Sequence, residues 1–199
     1  MSTRTGPDVI VVGGGAAGAV VAARLSERPS RSVLLLEAGG TRRAGAAGPV
    51  EDAGRLPAST DPWVRRFPAR VNAGPDGEAR RIALVRGELL GGSTAVNGAA
   101  FVRGTAAYFD AWATAGCDGW SARDVLASFI RSERDLDLGA TELHGAAGPV
   151  PVSRTATFSD DTVSAAFSAA CRAAGHPDEP DKNGWATPGI GPVPHNAVD

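Results

Sequence analysis

Asp8-Val9-Ile10-Val11-Val12 is a continuous apolar run behind one acidic residue. Its β-branched residues and its lack of alternation predict a strand buried on both faces, as in a parallel sheet. The run stops at Gly13-Gly14-Gly15, and an Ala- and Val-rich helical pattern follows over residues 16–27. A turn, Arg28-Pro29-Ser30-Arg31, leads to a second apolar strand over 32–36 that ends in Glu37. Strand, helix and strand together predict a βαβ unit. Residues 39–49 and 51–62 carry no period and hold glycines, prolines and an Asp-Pro pair, so they read as loops. Trp63-Val64-Arg65-Arg66-Phe67 reads as a local apolar-basic patch, with Trp63 and Phe67 packing inward and a substrate contact as the alternative for Trp63. Alternation returns at Arg81-Ile82-Ala83-Leu84-Val85. With turn residues over 72–77, it predicts a hairpin over 71–86.

The second half patterns as helices separated by turns. Thr105 is placed to cap a helix over 106–115, with Tyr108, Phe109 and Trp112 as core aromatics. Ser121 caps the next, with Asp124 in the capping-box position. Val125, Leu126, Phe129 and Ile130 form its apolar stripe, and Arg131, Glu133, Arg134 and Asp135 read as its solvated end. His144-Gly145-Ala146-Ala147-Gly148-Pro149 is a turn-rich loop. A short strand over 150–153 follows, placed at an edge by Pro151. Ser159 caps a third helix, Asp160 and Asp161 complement its dipole, and Val163, Ala166, Phe167, Ala170 and Ala174 are expected to face inward. Gly175 stands where a helix end favours a left-handed residue. From His176 onward, prolines and glycines exclude regular structure.

Composition narrows the class. The 199 residues are 43% hydrophobic and 21% charged, which suits one soluble globular domain, or one domain and part of another. A net charge of -2 removes the electrostatic case for nucleic acid or an anionic membrane as partner. No apolar run is long enough for a membrane span. The three glycines interrupt the N-terminal apolar region, so no export signal is read and a cytoplasmic protein is expected. Cys117 and Cys171 have no C-x-x-C neighbour and read as reduced thiols; no metal site is expected.

Two stretches carry chemistry. Gly13, Gly15 and Gly18 stand at G-x-G-x-x-G spacing between a strand and a helix. Gly13 allows the tight turn, Gly15 lets a pyrophosphate approach the backbone, and Gly18 lets helix and strand pack closely. Free N–H groups at the helix start favour a phosphate. Glu37 is placed to accept hydrogen bonds from a ribose 2′-OH and repels a 2′-phosphate. The alternative is a plain βαβ unit with a glycine turn. The second stretch runs from Arg86 through Gly91-Gly92-Ser93-Thr94 to Asn97-Gly98. By its residues it is either a second glycine-rich loop for close ligand approach or a helix cap.

Three segments together resemble the glucose–methanol–choline (GMC) family of flavin oxidoreductases. They are Gly13 to Gly18 with Glu37-Ala38-Gly39; Gly87 to Asp110, with Gly91-Gly92, Ser93-Thr94, Val96-Asn97, Phe101 and Gly104; and His144-Gly145 with Gly148-Pro149. The resemblance covers essentially the whole chain but only the family's N-terminal portion. It implies an α/β, Rossmann-like FAD/NAD(P)-binding fold of GMC type, incomplete, over 1–148, and the start of an α+β substrate domain over 149–199. It implies FAD held by Gly13, Gly15, Ala16, Ala17 and Gly18, by Glu37 and Ala38, and by Gly91, Ser93, Asn97, Gly98 and Ala99. Val96 stands where some members carry the histidine that links flavin, so non-covalent FAD is implied. The implied reaction is oxidation of a small-molecule alcohol by hydride transfer to FAD, with an electron acceptor the sequence does not name. The family's catalytic histidine lies beyond Asp199, and neither His144, His176 nor His195 matches it. Glu88 departs from the family, which usually carries Lys or Arg there. The residues around Phe101-Val102-Arg103-Gly104 and Trp112 are similar to the branch associated with mycofactocin. The alternatives are a flavin-binding remnant, a subunit completed by a second polypeptide, and an NAD-dependent dehydrogenase, for which the second motif has no use. An open sheet edge, exposed apolar surface and poor solubility are expected of residues 1–199 alone.

Overall fold

The computed structural model describes residues 6–40, 62–71, 80–139, 141–154, 162–185 and 188–196. The chain divides into two compact units, Met1–Gly98 and Ala99–Asp199.

In the first unit, β1 (Val9–Val12), α1 (Ala16–Ser26) and β2 (Val33–Leu36) form the expected βαβ unit. β1 and β2 pair in parallel, from Val9 opposite Val33 to Val12 opposite Leu36, as a helical crossover requires. Asp8 fastens the start of the pair: its carboxylate accepts from the Ser32 amide and hydroxyl, both at 2.8 Å. Burial on both faces does not follow. Val11 is buried, but Ile10 is 55% exposed and Val12 82%. Among the described residues this sheet has only two strands, so no third strand covers it.

The hairpin lies earlier than its pattern suggested. β3 (Val64–Arg70) pairs antiparallel with β4 (Arg81–Gly87), from Val64 opposite Gly87 to Arg70 opposite Arg81. The arginines and Pro68 hide β3 in the sequence. Proline is tolerated because a two-stranded ribbon consists only of edges. Phe67 is exposed rather than packed, while Trp63 is half-buried. The predicted turn residues 72–77 lie outside the described residues.

The second unit holds α2 (Ala106–Thr114), α3 (Ala122–Ser132), β5 (Glu133–Asp135), β6 (Val150–Val152) and α4 (Thr162–Ala173). Thr105 precedes α2 but makes no side-chain cap bond. Ser121 and Asp124 form the predicted capping box on α3, each side chain accepting from the other's backbone N–H. Ser121→Ala is expected to cost about 1 kcal/mol, read as a lower urea midpoint with an unchanged slope.

Phe109 is the buried aromatic of α2, edge-on to Trp112 and Phe129 at 5.6 Å each. Tyr108 and Trp112 are exposed, contrary to the expected core of three aromatics. The α3 stripe is half-buried, as patterned. The expected inward face of α4 is not inward: Val163 is 77% exposed and Phe167 64%. Residues 159–161 lie outside the described residues. Gly175 does take the left-handed conformation, φ 87°, and the His176 amide closes the helix end on the Cys171 carbonyl.

β5 and β6 pair in parallel, so the 148/149 boundary read from the sequence falls inside this unit. Beyond His176 no helix or strand occurs among the described residues. That stretch is nevertheless packed, with Asn183 fully buried. Both cysteines are free thiols. Among the described residues no helix is long and apolar enough to cross a membrane.

Candidate cofactor site

The first glycine loop is a turn that only glycine suits. Gly13 has φ 96° and its amide donates to the Leu36 carbonyl at 2.7 Å, tying the turn to the end of β2. A Cβ on Gly18 would lie 1.8 Å from the Gly13 carbonyl oxygen, so α1 rests directly on the turn. Gly15 is the residue before α1, and the first intrahelical bond is from the Ala19 amide to the Gly15 carbonyl. The amides of Ala16, Ala17 and Gly18 therefore have no acceptor inside the helix. With the helix dipole they make the end of α1 suited to an anion.

The second loop comes from the far end of the unit and meets the first. Leu89 is buried, Gly91 has φ 96° and Gly92 φ 56°, and a 3₁₀ turn covers Gly92–Ala95. Gly15 and Gly91 form a parallel bridge, with the Gly91 amide donating to the Gly14 carbonyl at 2.8 Å. A Cβ on Gly92 would lie 2.8 Å from the Gly15 Cα. Two backbones thus touch where neither has a side chain. The Thr94 hydroxyl donates to the Gly91 carbonyl at 2.6 Å, and Ser93 Oγ accepts from the Gly87 amide at 3.2 Å. Both hydroxyls brace the loop.

Glu37 ties the first loop to the turn after β2. Its Oε2 accepts from the Gly14 amide at 2.6 Å and its Oε1 from the Gly39 amide at 2.9 Å. These bonds, Gly39's first and then Gly14's, hold its carboxyl below the ordinary range against a smaller opposing effect of burial. It is therefore an ionised acceptor with lone pairs left for hydroxyl donors. Gly40 bridges Leu89, so the Glu37 turn and the second loop run together. Glu88, the departure from the family pattern, makes a two-pronged pair with Arg65 of β3, with Nη2 to Oε1 at 2.7 Å. Arg65 is exposed, and such a pair contributes little stability.

Of the predicted residues, the structure brings Gly13, Gly15, Ala16, Ala17, Gly18, Glu37, Ala38, Gly91 and Ser93 to this junction. Asn97 and Gly98 follow the 3₁₀ turn in the same unit. Ala99 opens the second unit, with φ 57° and its carbonyl accepting from the Asn196 amide. Gly14 and Gly92 also stand at this junction, Gly14 without a role assigned from the sequence and Gly92 as part of the second glycine loop. Each is the glycine that faces the other loop or Glu37, and the triple and double glycine runs were the signal.

The sequence reading of Glu133 and Asp135 as a solvated helix end is overturned: Glu133 is 0% exposed and Asp135 4%. His144, read as a turn residue, is buried beside both. Gly145 and Gly148 let its loop cross β5. Cβ atoms there would lie 1.8 Å from the Ile130 carbonyl oxygen and 2.5 Å from the Glu133 nitrogen.

A glycine turn between parallel strands, an acid after the second strand and a second glycine loop laid on the first define a dinucleotide cradle of the flavoprotein kind. The GMC oxidoreductase family profile matches residues 7–196, and the chain belongs to that family. It is 44% identical over 197 residues to an uncharacterized GMC-type oxidoreductase of Rhodococcus erythropolis, covering 96% of this chain and 38% of that one. It is 38% identical to the oxygen-dependent choline dehydrogenase of Vibrio vulnificus, covering 94% and 32%. The crystal structure of pyridoxine 4-oxidase from Mesorbium loti superposes with a TM-score of 0.79 at 31% identity, covering 98% of this chain and 37% of that one. The chain therefore spans about a third of the length of the curated relatives it matches.

Proposed function

We propose that this chain is the FAD-binding portion of an oxidoreductase acting on CH–OH groups, with FAD bound non-covalently. The observation that carries this reading is the backbone contact of Gly15 with Gly91 and Gly92. It leaves two glycine loops and the free amides of α1 side by side, without the side chains that would fill a cradle. The amides of Ala16, Ala17 and Gly18 would hold the pyrophosphate. Glu37, beside Ala38, would accept from the adenosine ribose. Gly91, Ser93, Asn97, Gly98 and Ala99 would line the flavin side, with Val96 offering no atom for a covalent link. Bound FAD would supply the hydride acceptor. No residue of this chain is assigned as the catalytic base. Relatives named for choline and pyridoxine support a small-molecule alcohol as donor. The net charge of -2 supports neither nucleic acid nor an anionic membrane as partner, and the glycine-broken N-terminal run supports a cytoplasmic site.

A second reading is a subunit completed by another polypeptide. The apolar surface of β1 and β2, with Val12 82% exposed, favours it. One titration addresses the cofactor. The purified chain is expected to quench FAD fluorescence saturably, to resist competition by excess NAD, and to release intact FAD on acid precipitation. Glu37→Gln is expected to weaken binding about tenfold, the loss of one charge-assisted hydrogen bond. With a dye acceptor the chain alone is expected to show no alcohol turnover. Absence of FAD uptake, or displacement by NAD, overturns the cofactor assignment.

A further inference from the structure

The β3–β4 hairpin concentrates positive charge. From Val64 to Glu88 the sequence carries six arginines against three acids, although the whole chain has a net charge of -2. Asp76 and Glu78 lie outside the described residues, and Glu88 is held by Arg65. The register sorts the side chains onto two faces, because residues opposite each other, and residues two apart, share a face. Arg65 and Arg86, Phe67 and Leu84, and Ala69 and Ile82 lie on one. Arg66 and Val85, Pro68 and Ala83, and Arg70 and Arg81 lie on the other, and all of these are exposed. Among the described residues no carboxylate pairs with Arg66, Arg70 or Arg81.

Folding alone does not account for that second face. Arg70 and Arg81 stand directly opposite, with Cβ atoms about 5 Å apart, and like charges so placed oppose strand pairing. A two-stranded ribbon is marginal by itself, and among the described residues no third strand supports this one. An acid at position 70 or 81 would make the hairpin more stable. Arg66 lies about 13 Å along β3 from Arg70. That exceeds the roughly 8 Å over which physiological salt screens a charge, so the two ends act as separate anchors for separate anions. Between them Val85, Pro68 and Ala83 form a small apolar floor.

A guanidinium binds carboxylate and phosphate alike, through paired N–H donors. The floor decides between them. A duplex or a lipid headgroup layer presents phosphate across the whole contact and gains nothing from Val85, Pro68 and Ala83. The chain's net charge of -2 also repels an extended polyanion beyond the patch. Protein interfaces, in contrast, bring apolar side chains and arginine together.

We propose that the Arg66, Arg70 and Arg81 face of the hairpin docks an acidic protein segment. Its carboxylates, about 13 Å apart, meet the arginines at the two ends. A small apolar side chain between them meets Pro68, Ala83 and Val85. The seven residues of β3 span about 23 Å, so the contact belongs to the small, transient class of interfaces. Opposite charges steer the encounter and make it fast. No residue of this face belongs to the glycine loops, and the surface is independent of the cofactor.

Fluorescence anisotropy of a labelled peptide added to the full chain is the test. The peptide carries glutamate at every fourth position, with valine and alanine between. It is expected to bind, and to weaken about fivefold as salt rises from about 50 to 200 mM. The same peptide with glutamine for glutamate is expected to bind at least about tenfold more weakly. Arg66→Glu and Arg70→Glu are each expected to weaken binding about tenfold. Arg81→Glu is expected to weaken it equally and yet raise the urea midpoint, because Arg70 gains an opposite charge. A merely structural role for Arg81 does not move binding and stability in opposite senses. Arg123→Glu, at an exposed position of α3, is expected to leave binding unchanged. Failure of the glutamate peptide to bind overturns the proposal, as does equal binding of the glutamine peptide or an equal loss in Arg123→Glu. Tighter binding of a DNA duplex or of phosphatidylglycerol vesicles overturns it in favour of a phosphate ligand. Should Arg66→Glu or Arg70→Glu fail to fold, Arg81→Glu decides.

Discussion

Gly18→Ala is expected to weaken FAD binding about tenfold or more. The added methyl carbon would lie 1.8 Å from the Gly13 carbonyl oxygen and 3.0 Å from its carbon, both backbone atoms that cannot swing aside. Relief requires α1 to lift from the turn or the turn to leave β2. Lifting α1 displaces the amides of Ala16, Ala17 and Gly18, which are proposed to hold the pyrophosphate. Overpacking of this kind costs about 1–3 kcal/mol or more, so binding is expected to weaken about 10- to 100-fold at the least. Gly13→Ala is the informative control. Gly13 has φ 96° but open space where a Cβ would point, so only backbone strain opposes that substitution. A smaller loss for Gly13→Ala than for Gly18→Ala, both measured by FAD titration, is the expected order. Equal losses would mean that the turn's conformation, not helix contact, limits binding.

Arg103→Leu is expected to have the largest effect on stability. The Arg103 side chain is 1% exposed and its Nη2 sits 2.6 Å from Glu133, which is 0% exposed. Removing the guanidinium strands a buried carboxylate whose Oε2 already lacks a partner. It also strips a donor from the carbonyls of Leu143 and Asn183, and a cation from the face of Phe129, 5.4 Å from the ring centroid. Breaking one side of a buried pair costs about 3–5 kcal/mol, a large part of the roughly 5–15 kcal/mol that holds a typical domain. Urea unfolding followed by circular dichroism measures it. Adding Glu133→Gln to Arg103→Leu is expected to recover part of the loss, because the stranded charge disappears. A double variant no better than the single would assign the damage to lost packing and hydrogen bonds rather than to charge.

The contrast between the two units explains what the sequence could reveal. The βαβ unit was readable because strand, glycine turn and helix are local events, each written in adjacent residues. Glu37 was readable for the same reason, as the acid that ends the second strand. That Gly92 lies on Gly15 was not readable from residue chemistry, since nothing local says which distant backbone a glycine admits; there the family resemblance supplied the link. β3 was hidden because Arg65, Arg66 and Pro68 break the expected alternation of a strand whose partner sits beyond a turn. Glu133 and Asp135 were misread because a charged run after a helix is ordinarily solvated. Their burial depends on Arg103 and Arg154 arriving from elsewhere in the chain. His144-Gly145 and Gly148 were noticed as a turn, but their glycines answer to β5 crossing beneath them. Tyr108, Trp112, Val163 and Phe167 failed the simplest rule, that large apolar residues point inward, which does not hold in reverse for surface.

The junction of Gly15 with Gly91 and Gly92 also sets a schedule for synthesis. β1, α1 and β2 leave the ribosome before the second loop does, and their loop has no partner until Gly92 follows. At about 5–20 residues per second, that interval lasts roughly 3–11 s. Throughout it Ile10, Val12, Leu34 and Leu36 are open to any passing apolar surface, and the half-built cradle has only one wall. A nascent chain of this protein is thus committed to a wait whose length is fixed by the stretch of chain between the end of β2 and Gly92. A chaperone that recognises short apolar strands has its opportunity there, before a cofactor can be caught.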